Sequence, residues 1–113
     1  MRAPRRVYLA GPMTGLPDFN YPAFNAEAAR LRALGYHVEN PAENQKPVPE
    51  TWENYLRAAL RQMLTCDAVL LLPGFQSSRG AMLEMNTAHA LSMPILMAGQ
   101  VDEPPGMLAE VAA

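Results

Sequence analysis

Ala68-Val69-Leu70-Leu71-Leu72 is an unbroken apolar run, opened by Asp67 and closed by Pro73-Gly74. A strand with one wet face alternates apolar and polar residues, and Asp67–Leu72 does not. Both of its faces are therefore covered, as in a parallel sheet with helices on either side. That requirement decides how the rest of the chain is read.

Val7-Tyr8-Leu9-Ala10, closed by Gly11-Pro12, is a second buried strand. Asn20 is placed to cap a helix with Pro22 in its first turn. Phe24, Ala28, Leu31 and Leu34 give that helix an apolar stripe, and Gly35 ends it. Tyr36–Glu39 reads as a short strand ended by Asn40-Pro41, followed by a polar, proline-bearing loop over Ala42–Glu50. Thr51 caps the next helix, whose Trp52, Leu56, Ala59, Leu60 and Met63 should face the sheet. A third helix begins near Ser78–Gly80 and runs to Leu91, Pro94–Met97 forms the last strand, and the tail after Gly99 has room for one more short helix.

The order is strand-helix three times and a closing strand. It predicts an α/β, flavodoxin- or Rossmann-like three-layer sandwich with an open parallel sheet in the order 2-1-3-4. In such a sheet the cleft opens where the order reverses, between the carboxyl ends of strands one and three. At 113 residues, 1–113 is read as a single domain with one core. Half of the residues are hydrophobic, which excludes disorder by composition. The net charge is -2, and the only basic cluster is Arg2, Arg5 and Arg6, so no surface suited to a nucleic-acid polymer is expected. No segment approaches the roughly 20 apolar residues of a membrane span, and Val7–Ala10 is too short for a signal peptide. A cytoplasmic location without membrane attachment is the default expectation. Cys66 has no disulfide partner and reads as a small buried residue. Neither a metal motif nor a cofactor fingerprint is present, and none of either is expected.

Two loops carry the chemistry. Gly11-Pro12-Met13-Thr14-Gly15, after strand one, allows close approach of backbone amides to a ligand, or is simply a structural turn. It has neither the lysine of a nucleoside-triphosphate loop nor G-x-G-x-x-G spacing. Ser77-Ser78-Arg79-Gly80-Ala81, after strand three, opens directly into a helix, bringing hydroxyls and unpaired amides to where a sugar or phosphate oxygen can sit. Arg79 either adds charge there or is solvated. Glu84 lies about one turn inside that helix, where the positive helix end favours its ionised form. A carboxylate so placed can attack an anomeric carbon or stabilise charge on it; spacing alone slightly favours a solvent-facing glutamate or an internal cap. Tyr8, near the carboxyl end of strand one, either reaches the base of the cleft or is core. His89 diverges from Glu84 around the helix and reads as structural, and Asp67 stands at the edge of the sheet away from the cleft.

Val7-Tyr8-Leu9-Ala10-Gly11-Pro12, Asp67-Ala68-Val69 and Gly80-Ala81-Met82-Leu83-Glu84 together resemble the nucleoside 2-deoxyribosyltransferase superfamily, in particular its short bacterial and phage branch. The resemblance runs from Val7 to about Met97. It implies that Glu84 is a nucleophile taking deoxyribose as a covalent intermediate, with Gly80 and Ala81 against the sugar. It places Ser78 where transferases have an aspartate and monophosphate hydrolases a phosphate-holding serine. Tyr8 and Gly11–Gly15 would line the base and sugar pocket, and members associate as homodimers or larger homo-oligomers. Two departures stand out. Ala58, Ala59 and Leu60 occupy the helical turn that offers a base-protonating aspartate in transferases, with Glu53 nearly two turns upstream, and Phe75 replaces a frequent tryptophan. The reading that leads is N-glycosidic cleavage of a deoxynucleoside or its monophosphate, as hydrolase or transferase. A nucleotide-derivative binding or sensing domain is the alternative, and a domain that mainly assembles with itself or a partner is the third.

Overall fold

The computed structural model describes residues 5–106. Four parallel strands, β1 (Arg6–Ala10), β2 (His37–Glu39), β3 (Ala68–Leu71) and β4 (Ile95–Met97), form one sheet in the order β2-β1-β3-β4. Tyr8 stands opposite Glu39 on one side and Val69 on the other, and Ala10 opposite Leu71. Three helices, α1 (Tyr21–Ala33), α2 (Trp52–Met63) and α3 (Arg79–Ala90), complete three layers. This is the architecture expected from the sequence, with β1 starting one residue earlier than expected and β2, β3 and β4 each a residue or so shorter.

The pleat sorts the core into two. Val7, Leu9, Ala68 and Leu70 meet Phe24, Ala28 and Leu31 of α1 on one face. Tyr8, Ala10, Val69 and Leu71 meet Met63 of α2 and Ala88 of α3 on the other. Because residues alternate along a strand, β3 is buried on both sides and needs no polar residue.

Four details correct the expectation or add to it. Asn20 does not cap α1 through its side chain; its backbone is left-handed (φ 61°) and its amide donates to the Pro12 carbonyl at 3.0 Å. Asp18 and Phe19 are also left-handed, so the loop turns into α1 through three consecutive positive-φ residues, and the side chain is spent on holding that loop. Second, Met63 is the one residue of α2 that is fully buried; Ala59 and Leu60 pack against the core at partial exposure. Third, Glu27 of α1 is buried, its two carboxylate oxygens accepting from Nε and Nη2 of Arg30 at 2.8 Å each and one of them from the Gly99 amide at 2.8 Å. Arg30 also donates to the Val101 carbonyl, so this pair stitches α1 to the chain beyond β4. Fourth, residues 100–106 form no helix, and the rest of the segment expected to hold a short tail helix lies outside the described residues.

Candidate active site

The ends of β1 and β3 are brought together by a glycine. A Cβ on Gly11 would lie 2.8 Å from the Leu72 Cβ and 3.4 Å from the Phe24 ring, closer than packing permits. Only a residue without a side chain lets the ladder continue, as it does through Leu72 N–H to the Ala10 carbonyl at 2.8 Å. Beyond it, a Cβ on Gly74 would touch Pro12 at 3.3 Å, so the two loops singled out in the sequence are neighbours.

Within the first loop, Pro12 is buried, Met13 packs against the α1-side core, and Thr14 and Gly15 are exposed. Gly15 has φ 84°, a left-handed turn that glycine makes without strain. In the second, Phe75–Ser77 makes a single 3-10 turn and Ser77 Oγ donates to the Gly74 carbonyl. Ser78 caps α3, accepting from the Ala81 amide at 3.1 Å. The Ala81 amide is thereby used, and its methyl is buried. Gly80 has open space on the side a Cβ would occupy. Arg79 is exposed, its guanidinium lying over the Trp52 ring at 4.1 Å from the centroid.

α3 turns Ala81, Glu84 and Ala88 toward the sheet. Glu84 is thus a carboxylate at a core position, 6% exposed, and the Tyr8 hydroxyl donates to its Oε2 in the buried interior. Burial raises the Glu84 carboxyl to about 7, against the opposing pull of the Tyr8 hydrogen bond. This corrects the expectation that the helix end keeps Glu84 readily ionised: loss of hydration outweighs it. Tyr8 is itself raised well above the usual phenol range, first by burial and then by the Glu84 charge, so it stays a donor. Tyr8 is core, and its hydroxyl meets the Glu84 carboxylate there.

The remaining candidates lie apart from this pair. Asp67 accepts from the backbone amides of Arg5 and Arg6 at the opposite edge of the sheet. His89 and Glu53 are exposed. Cys66 is half-buried and burial pushes its thiol up to about 11, which suits a packed residue rather than a nucleophile. A polar groove of about 460 Å³ runs along β2, beside His37, Glu39 and Gln62, and includes neither Tyr8 nor Glu84. Among the described residues, no three His, Cys, Asp or Glu side chains converge to hold a metal ion, and no helix is long and apolar enough to cross a membrane.

Two features escaped the sequence reading. Trp52, half-buried on the expected stripe, also carries the Arg79 guanidinium on its ring. The burial of Glu84 was signalled by Ala81 and Ala88, which flank it at helical spacing on one small-residue stripe.

Residues 5–97 match a family described as "Domain of unknown function (DUF4406)". Among solved structures, a 2-deoxyribosyltransferase from the psychrotolerant bacterium Bacillus psychrosaccharolyticus is similar, with a TM-score of 0.67 and 21% identity. The alignment covers 87% of this chain and 77% of that one. The likeness shows a shared fold, in keeping with the superfamily resemblance seen in the sequence. No curated protein matches the sequence.

Proposed function

The chain belongs to the DUF4406 family, and from that premise we propose that it is one 2-deoxyribosyltransferase-like domain that cleaves the N-glycosidic bond of a deoxynucleoside or deoxynucleoside monophosphate. The observation that carries the reading is the buried Tyr8–Glu84 pair at the core-facing side of α3. A protein gains nothing in stability from a carboxylate there, whereas the chemistry needs one.

In this reading a Glu84 oxygen attacks C1′ of the sugar. The C1′–N bond breaks, its electron pair leaves with the base, and the base takes up a proton. Tyr8 holds the other carboxylate oxygen and orients the attacking one. Water then displaces Glu84 to give the free sugar, or a nitrogen of a second base displaces it to give transfer. Ser77, Ser78, Arg79 and Gly80 would receive the sugar or its phosphate, beside Ala81, with Gly11–Gly15 as the pocket wall. Ala58, Ala59 and Leu60 offer no acid for the leaving base, so that proton comes from outside this turn. We take the working form to be a homo-oligomer, a second copy being one source of that group.

Base release from a panel of deoxynucleosides and their monophosphates, for the natural chain beside Glu84→Gln, tests the reading. Release that falls to background in Glu84→Gln is the expected result. Equal release from both proteins would sink it. Binding of a monophosphate with no release over long incubation would instead favour a nucleotide-derivative sensor, the reading that the missing acid supports.

A further inference from the structure

Glu84 is buried, and one of the elements that share a core cluster with its partner Tyr8 is weakly held. That cluster joins Tyr8 to Ala59, Leu60 and Met63 from α2 and to Met85 and Ala88 from α3. α3 is pinned by its buried stripe Ala81, Glu84 and Ala88. α2 is pinned most firmly at its carboxyl end. There Met63 enters the core, Gln62 bonds Glu39 at 3.1 Å and Asn44 through both atoms of its amide, and Thr65 accepts from Arg6.

The amino half of α2 is different. Trp52, Asn54 and Leu56 are half-buried, and Glu53, Tyr55 and Arg57 are exposed. Its polar contacts are local: Thr51 with the Asn54 amide, Asn54 with the Pro49 carbonyl, Tyr55 with Glu50. The side-chain tie that crosses to another element, among the described residues, is the stack of Arg79 on Trp52.

We propose that α2 is a flap over the Tyr8–Glu84 pair, hinged at Gln62–Met63 and latched at its amino end by Arg79 on Trp52. Release of the stack lets residues 52–60 swing from α3, takes Ala59 and Leu60 out of the Tyr8 cluster and opens the seam to Glu84. The latch is weak enough to open thermally, since an exposed cation–π contact shifts an equilibrium by only about two- to five-fold. Arg79 and Trp52 are positioning residues in this scheme, acting on access to the carboxylate. The purpose of the flap rests on the function proposed above, but its mechanics do not.

The test therefore uses no substrate. Amide hydrogen exchange is followed along the chain, with carbodiimide labelling of Glu84 mapped by mass, for the natural protein and for Arg79→Leu, Arg79→Lys and Trp52→Leu. Arg79→Leu and Trp52→Leu should each speed exchange of residues 52–60 and labelling of Glu84 about two- to five-fold. β1, β3 and residues 61–63 should exchange as before. Arg79→Lys keeps the charge without the flat stack and should fall between. Trp52 is the only tryptophan in the chain, so acrylamide quenching of its fluorescence should rise in Arg79→Leu. Unchanged exchange and labelling in Arg79→Leu would overturn the proposal. So would acceleration spread evenly over the chain, which marks a loss of global stability. If Trp52→Leu does not fold, the two Arg79 variants decide alone. Absence of base release from any substrate would leave these results standing, and a failed latch would leave the proposed reaction untouched.

Discussion

At the scale of single residues, the structure turns on one carboxylate placed on the core-facing stripe of α3 between Ala81 and Ala88. Glu84 titrates near neutrality because burial removes its hydration, while the Tyr8 hydroxyl pulls the other way. If its ionised form attacks the sugar, activity rises with pH below about 7 and levels above it. Tyr8→Phe removes the one hydrogen bond that favours the charged form. The rising limb should then move to higher pH by about one to two units, the usual worth of a hydrogen bond to a charged group. A pH–rate profile of both proteins checks this, and an unshifted limb would separate Tyr8 from the working carboxylate. The pairing itself was only half legible in the sequence. Helical spacing put Glu84 on α3 and the strand put Tyr8 on β1, but which face of β1 meets which helix depends on the sheet order. The helix-end argument failed because it weighed a partial charge and ignored desolvation, which acts on the same group more strongly.

At the scale of elements, legibility followed burial. β3, covered on both faces, announced itself as an unbroken apolar run, and the β1–β3 pairing followed from the topology. α2 shows the expected stripe, with Ala59, Leu60 and Met63 at the core, but it rests lightly, since only Met63 is driven fully in. The Asn20 cap was misjudged. Asparagine is also at home in left-handed turns, and here the turn of Asp18, Phe19 and Asn20 takes precedence. The joint between β1 and β3 carries the element-scale prediction. In Gly11→Ala the new methyl meets the Leu72 Cβ, which cannot swing aside as the end of a side chain could. The cost should be about 1–3 kcal/mol of stability, read from denaturant midpoints. A neutral result would mean that the two strand ends part easily and that their closeness is not set by this glycine.

At the scale of the molecule, opposing carboxylates set how stability depends on pH. Glu27 and Glu39 titrate below the usual range despite their burial. Arg30 and the Gly99 amide hold the first, and His37, Gln62 and Arg6 the second. Their stabilisation is present above the ordinary carboxylate range and is lost as pH falls through their lowered values. Glu84 acts in the opposite sense. Its folded form holds a proton that the unfolded chain gives up near 4.5, so stability declines as pH rises from there to about 7. The loss is on the order of 3 kcal/mol. The natural protein should therefore melt highest near pH ~5, and Glu84→Gln should lose the decline and melt higher than the natural protein at pH 8. Thermal scans across pH check both, and a natural protein most stable at pH 8 would contradict them. Self-association is the other molecular prediction. Leu16, Phe19, Leu64 and Leu91 are exposed apolar side chains, and sedimentation at micromolar concentration should give a dimer or larger; a monomer would count against the oligomer proposed above.

The position of Glu84 has an evolutionary edge. Most enzymes lose their working groups at some cost in folding, so decay of function and decay of fold run together. Here the two are opposed: Glu84→Gln, which leaves Tyr8 a partner and removes the cost of burying a charge, is expected to give a sturdier protein above neutral pH. A lineage with no use for the charge would drift away from it downhill, and its retention would mean that selection works against the fold.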